Sequence, residues 1–173
     1  MPVVLKKDFF EKNTLKVAKD LLGKTLCVES KGGQVQRSAI IETEAYDGEA
    51  DLACHASKGK TQRTKVMYED AGICYVYLCY GIHWLLNLVT GPKDYPAAVL
   101  IRGLEDFTGP GRLTKGLGID GSFNEKSLNK RSGIWVEDSS YSEFKVCSGP
   151  RIGVDYAGEH WSKVPYRFWF SKK

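Results

Sequence analysis

Glu42, Glu44 and Tyr46 stand at alternate positions of the segment Ser38-Ala39-Ile40-Ile41-Glu42-Thr43-Glu44-Ala45-Tyr46. In a strand, alternate side chains point to one face, so two carboxylates and a phenol share a surface while Thr43 and Ala45 take the other. Two readings fit that spacing. One is an edge strand with a solvated acidic face. The other is a carboxylate working as a general base beside a ring that can stack a planar ligand, which needs a cleft over that face.

The densest aromatic stretch is Tyr75-Val76-Tyr77-Leu78-Cys79-Tyr80-Gly81-Ile82-His83-Trp84. Tyr75 and Tyr77 share a face, and Tyr75 and Trp84 read as core. Tyr80 falls beside Gly81 at a turn, where a large ring has little of its own fold to pack against. Such a ring suits insertion between stacked bases, and equally a protein contact. Arg102 lies inside the apolar run Ala97-Ala98-Val99-Leu100-Ile101-Arg102-Gly103-Leu104. A charge there is rarely buried unpaired, so Glu105 or Glu44 is its expected partner. His55 directly follows Cys54, and adjacent residues seldom face each other, which favours a stacking ring over a Cys-His nucleophile pair. Lys58, Lys60, Arg63 and Lys65 are interleaved with Gly, Thr and Gln and form a candidate phosphate track; Arg112, Lys115, Lys126, Lys130 and Arg131 add further loop cations.

These residues need a scaffold. The chain has 173 residues, near one ordinary domain, and its 42% hydrophobic and 27% charged content excludes disordered, collagen-like and coiled-coil classes. The net charge is only +4, which permits an anionic partner without demanding one. Five cysteines, an odd count with no CxxC, argue against a disulfide framework and a zinc ribbon, and Cys54, His55, Cys74 and Cys79 lack zinc-ligand spacing. The first residues carry no apolar signal-peptide run and no long apolar stretch follows, so the expectation is a soluble, cytoplasmic protein, nuclear if the source is eukaryotic.

A helix is expected from Thr14, as N-cap, to Gly23, as stop. A hairpin follows from strands at 25–29 and 38–46, then an irregular polar loop at 47–64. Strands at 73–79, 84–90 and 97–104, a short helix with Pro110 near its start, and strands at 134–137 and 166–170 complete the order. We therefore expect an α+β fold: one domain over residues 1–173, a curved, mainly antiparallel sheet with peripheral helices.

Taken in order, these residues resemble the alkyladenine (3-methyladenine) DNA glycosylase family, in a compact bacterial-type form. Glu42-Thr43-Glu44-Ala45-Tyr46, His55, Tyr75 to Gly81, Asn87, Val99 to Glu105, Gly109 to Thr114, Ser148 to Val154 and Ala157-Gly158-Glu159 carry the likeness, which spans about Phe9 to Phe170. The resemblance implies a monofunctional enzyme that hydrolyses the N-glycosidic bond of alkylated or deaminated purines in double-stranded DNA, as a monomer and without metal or cofactor. It also implies roles. Glu44 matches the base that activates water, and Arg102 the residue that helps hold it. Tyr46 and His55 match rings that sandwich the flipped base, with Tyr77 closing the pocket. Tyr80 matches the wedge that fills the gap left in the duplex, Asn87 the residue that clashes with the guanine amino group, and Val154 a backbone contact to the base edge. Lys58, Lys60, Arg63, Arg112 and Lys115 are the expected backbone contacts. Three features depart from the pattern: a short connector at 105–109, His83 where an aromatic is expected, and a loosely matching segment at 56–65. A non-catalytic nucleic-acid-binding module is the alternative, and a Cys-dependent amidase or deaminase a third class.

Overall fold

The computed structural model describes residues 1–139, 141 and 143–172. A two-residue strand, β1 (Val3–Val4), and a single turn, α1 (Lys7–Phe10), lead into helix α2 (Thr14–Asp20). The helix forms where its apolar spacing requires, but its cap is Asn13, whose side chain accepts from the Lys16 amide. Thr14, expected as the cap, is already helical; its hydroxyl turns inward to the hydroxyl of Thr90 at 3.0 Å. Asn is at least as good a cap as Thr, and the buried Thr pair leaves Thr14 unavailable.

Strands β2 (Thr25–Glu29) and β3 (Val35–Asp47) make the expected antiparallel hairpin, with Thr25 opposite Ala39. Strands β4 (Cys74–Cys79), β5 (His83–Val89), β6 (Ala97–Leu104) and β7 (Ile134–Asp138) also lie close to their expected positions. A further strand, β8 (Phe144–Gly149), pairs with β9 (Arg167–Lys172), the strand expected at 166–170. β8 has no apolar alternation to announce it; it exists because β9 offers it an edge. The sheet runs β1-β7-β2-β3-β6-β5-β4, every pairing is antiparallel, and β9 lies against β3. Helices α3 (Pro110–Leu117) and α4 (Gly158–Lys163) sit at the periphery. This is the α+β arrangement of an antiparallel sheet with helices around it. Among the described residues no helix is long and apolar enough to cross a membrane.

β3 organises the site. Residues 42–44 have β6 on one side and β9 on the other, so they are central and the edge-strand reading of Glu42 and Glu44 fails. Alternation then sorts the side chains. Ala45 joins the main core with Val17 and Ala18 of α2 and Leu21 just after it, and Thr43 donates to the Ala18 carbonyl at 2.8 Å. Glu44 and Tyr46 take the opposite face. The same rule puts Val99 and Ile101 of β6 in the core and Leu100 and Arg102 on the cleft side. Likewise Leu86 and Leu88 go to the core, while Tyr75 packs in a second cluster with Cys54, Ala56, Met67 and Val89 beneath the site. Between the pairs Glu42–Gly103 and Thr43–Ile101 the register shifts, leaving Arg102 with no opposite residue. Such irregularities re-aim a side chain out of the pleat.

Candidate active site

The cleft over this face encloses about 1240 Å³. Glu44 forms part of its wall although the residue as a whole is fully buried. Its carboxylate is held from three sides: Oε2 accepts from the Ile152 amide at 2.7 Å, and Oε1 from the Tyr46 hydroxyl at 3.2 Å and Arg102 Nη1 at 3.5 Å. Burial raises the Glu44 pKa; Arg102, the Ile152 amide and Tyr46 pull the other way. A carboxylate tuned upward by desolvation is a better proton acceptor than an ordinary surface one.

Of the two partners expected for Arg102, Glu44 is correct and Glu105 is not, and a closer one was missed. Arg102 Nε lies 3.2 Å from Glu42 Oε1, which also binds Arg167 Nη1 at 3.1 Å. Glu42, Arg102 and Glu44 thus form a continuous charge-assisted chain, with Glu42 clamping the guanidinium that touches Glu44.

Aromatic residues gather around the cleft. His55 meets Tyr77 edge-on with ring centres 4.7 Å apart, and its Nδ1 pairs with the Tyr75 hydroxyl at 2.8 Å. His55 and Tyr77 therefore make one wall, and Tyr46 lines the same cleft. The Cys-His reading fails on geometry and charge: Cys54 is buried, its thiol pushed up to about 12, and the His55 ring is engaged by Tyr75. Burial, with Arg63 and Lys58 adding, pushes His55 down to about 4 from an ordinary 6.5. Between those values the unfolded chain binds a proton that the folded chain refuses, so stability falls as pH drops from about 6.5 towards 4. The urea midpoint at pH 5 should lie below that at pH 7, and His55→Gln should shrink the gap. A gap that persists unchanged would remove His55 as its source.

Behind the rings a small cavity of about 40 Å³ includes Asn87 in its lining. Asn87 is buried, and its Nδ2 donates to the Tyr75 carbonyl at 3.1 Å, which fixes its orientation. Val154, buried with Ala53 and Ala157, also lines the cleft. Tyr80 stands at the β4–β5 tip, 89% exposed, with a backbone φ of 51° followed by 67° at Gly81. Ile82 N closes this turn on the Cys79 carbonyl at 3.0 Å. Two successive positive φ values suit Asn-Gly; a Tyr in the first place is strained. Strain of that kind gathers where a side chain must be presented.

Sequence reasoning passed over Arg151 and Asp51, both fully buried as side chains. Arg151 Nη1 and Nη2 bind Asp51 Oδ2 and Oδ1 at 2.6 and 2.9 Å, and Nη1 also reaches the Ala45 carbonyl at 2.8 Å. Asp51 in turn accepts from the Asp47 and Ala53 amides. The guanidinium lies 4.8 Å from the Tyr46 ring centre. The pair ties β3 to the loop bearing His55 and to the segment bearing Ile152. Its only trace in the sequence is a charge on each side of the polar loops, too common to notice.

A model of the methylpurine-DNA glycosylase family matches residues 8–108 and 105–173, nearly the whole chain. The chain belongs to that family. A Myxococcus xanthus protein named "Putative 3-methyladenine DNA glycosylase" is 46% identical over 179 residues, covering 95% of this chain and 89% of its own. Proteins of the same name from Psychrobacter cryohalolentis and Methanocella arvoryzae are each 44% identical, covering 90% and 98% of this chain and 87% and 92% of their own.

The two matched segments of the methylpurine-DNA glycosylase model overlap at 105–108, within the connector at 105–109. It is a tight turn, closed by Leu104 N to the Phe107 carbonyl at 2.9 Å and Phe107 N to the Leu104 carbonyl at 3.1 Å. It delivers the chain directly to α3, whose first turn lines the cleft. His83 lies so close to that turn that a Cβ at Gly111 would sit 3.0 Å from its ring. Of the expected backbone contacts, Lys58, Arg63 and Arg112 line the cleft. Lys60 lies instead over the Tyr68 ring at 5.4 Å, and Lys115 is exposed in the last turn of α3. Among the described residues, no group of three or more His, Cys, Asp or Glu converges to hold a metal ion.

Proposed function

We propose that this protein is a monofunctional DNA glycosylase that removes alkylated or deaminated purines from duplex DNA, acting as a monomer. The observation that carries the reading is the buried Glu44 carboxylate, held by three donors in an aromatic-lined cleft. In this reading the damaged nucleotide leaves the stack, at a cost of a few kcal/mol. Its base lies against Tyr46 on one side and His55 with Tyr77 on the other, regaining about 1–3 kcal/mol of stacking. Tyr80 fills the gap in the duplex, Asn87 obstructs an exocyclic amino group at the cavity floor, and the Val154 backbone meets the base edge. Glu44 accepts a proton from water as the water oxygen bonds to C1′; the C1′–N bond breaks and its electron pair leaves with the base. The carboxylate also offsets positive charge on the sugar in an oxocarbenium-like transition state. Arg102 holds Glu44 and the water, and Lys58, Arg63 and Arg112 stand ready for phosphates.

The test is incubation with duplexes carrying hypoxanthine, ethenoadenine, 3-methyladenine or 7-methylguanine, then alkali. Strand scission at the lesion reports the abasic product; intact strands with all four would sink the reading. A second expectation concerns the tip. Tyr80→Gly removes the ring and suits the left-handed backbone, so folding should be unharmed or improved by up to about 1 kcal/mol. Excision from duplex DNA should fall well below that from single strands. Equal losses on both would remove the wedge role.

A further inference from the structure

We propose that Arg63 sets the charge preference of the base pocket, favouring neutral damaged purines over cationic ones; this rests on the glycosylase reading above. Arg63 leaves from an ordered turn built on buried Thr64. Thr61 N donates to Thr64 Oγ1 at 2.8 Å, Thr64 N to Thr61 Oγ1 at 3.2 Å, and Thr64 Oγ1 to the Gly59 carbonyl at 3.0 Å. The guanidinium carbon stands 4.8 Å from the Tyr77 ring centre, on the wall that Tyr77 shares with His55. Arg63 therefore belongs to the aromatic wall as much as to a phosphate track.

A cationic base gains from an electron-rich ring because the ring face is negative. Here the Arg63 guanidinium already draws on the Tyr77 face, and its positive charge repels a second cation nearby. A neutral base keeps its dispersion contacts and can also stack on the planar guanidinium. Two other guanidinium groups at the site are matched by carboxylates. Arg151, over Tyr46, is matched by Asp51 at 2.6 Å, and Arg102 by Glu42 at 3.2 Å. Among the described residues no such ion pair neutralises Arg63. His55, pushed down to about 4, adds no charge at neutral pH. Lys58 and Arg112 also line the cleft without an ion pair among the described residues, but Arg63 is the cation set over the Tyr77 ring.

The experiment compares single-turnover excision of 7-methylguanine, cationic at neutral pH, and hypoxanthine, neutral, in one duplex context. Wild type, Arg63→Gln and Arg63→Lys are the proteins. Arg63→Gln should raise the 7-methylguanine-to-hypoxanthine rate ratio about five- to tenfold, and Arg63→Lys should leave it within about twofold, since the charge remains. The side chain is exposed, so folding is not at stake. Anisotropy titrations of the same two duplexes in a Glu44→Gln background should shift the affinity ratio in the same direction without excision. A ratio that stays or falls overturns the proposal. Equal slowing of both lesions, with a salt dependence weakened by about one contact, would make Arg63 a phosphate ligand only. A wild type that excises neither lesion, with no lesion-selective binding whatever residue stands at 63, overturns the glycosylase reading and this one together.

Discussion

Glu44→Gln should slow single-turnover excision of hypoxanthine from duplex DNA by about 100-fold or more, the usual scale for a positioned general base. Gln keeps the shape, and its amide oxygen can still accept from the Ile152 amide, which donates to Oε2 at 2.7 Å in the native protein. It cannot take a proton from water. Stability should change by only about 1 kcal/mol: a buried charge is removed, while Arg102 keeps Glu42 as its closer partner at 3.2 Å. Lesion binding should survive, because Tyr46, His55 and Tyr77 are untouched. The contrast with Glu42→Gln is the informative part. Glu42 holds Arg102 and Arg167 and positions the guanidinium that meets Glu44. Its loss should slow excision less and lower stability more. The reverse order, with Glu42→Gln inactive and Glu44→Gln normal, would move the base one step along β3.

Arg151→Ala should be the most destabilising single change around the site, by about 3–5 kcal/mol, because it leaves the Asp51 carboxylate buried and unpaired. For a chain of this length that corresponds to a fall in melting temperature of roughly 6–20 °C. Asp51→Ala should cost a similar amount for the mirror reason. It would also release the Asp47 and Ala53 amides, which Asp51 accepts at 3.0 Å each. The double variant should be clearly less damaged than the sum of the two, since the second change removes a charge that the first had orphaned. Strict additivity in urea denaturation would mean that the pair is not coupled. Activity should fall in both single variants, because Ile152 directly follows Arg151 and its amide holds Glu44. That distinguishes Arg151 from Glu44: one change loses stability and activity together, the other activity alone.

The fold was legible where local physics and tertiary structure agree. The α2 helix, the β2–β3 hairpin and strands β4 to β6 carry apolar periodicities that survive folding unchanged, so their residues could be read directly. β8 could not. Three of its six residues are not apolar, and only the edge of β9 gives it a structure. The same limit explains the cap of α2. Asn13 and Thr14 are both good caps by type, and the choice between them lies with Thr90, 76 residues away.

For the site, the residues themselves were within reach of the sequence. Alternation along β3 put Glu42, Glu44 and Tyr46 on one face, and Gly81 marked Tyr80 as a turn residue. What lay beyond it was which charges meet. Spacing left Arg102 a choice between Glu44 and Glu105, and only the shifted register of β3 against β6 brings it onto Glu42 and Glu44. Arg151 and Asp51 are 100 residues apart and pair through β3 and two loops. Arg63 reads as one cation among several until a hydrogen-bonded turn sets it over Tyr77. The sequence by itself determined which chemistry is available, because residue types and strand periodicity are local properties. Which carboxylate is desolvated, which cation is compensated and which ring is covered depend on contacts between distant segments, and these arise only when the sheet and its loops close over one another.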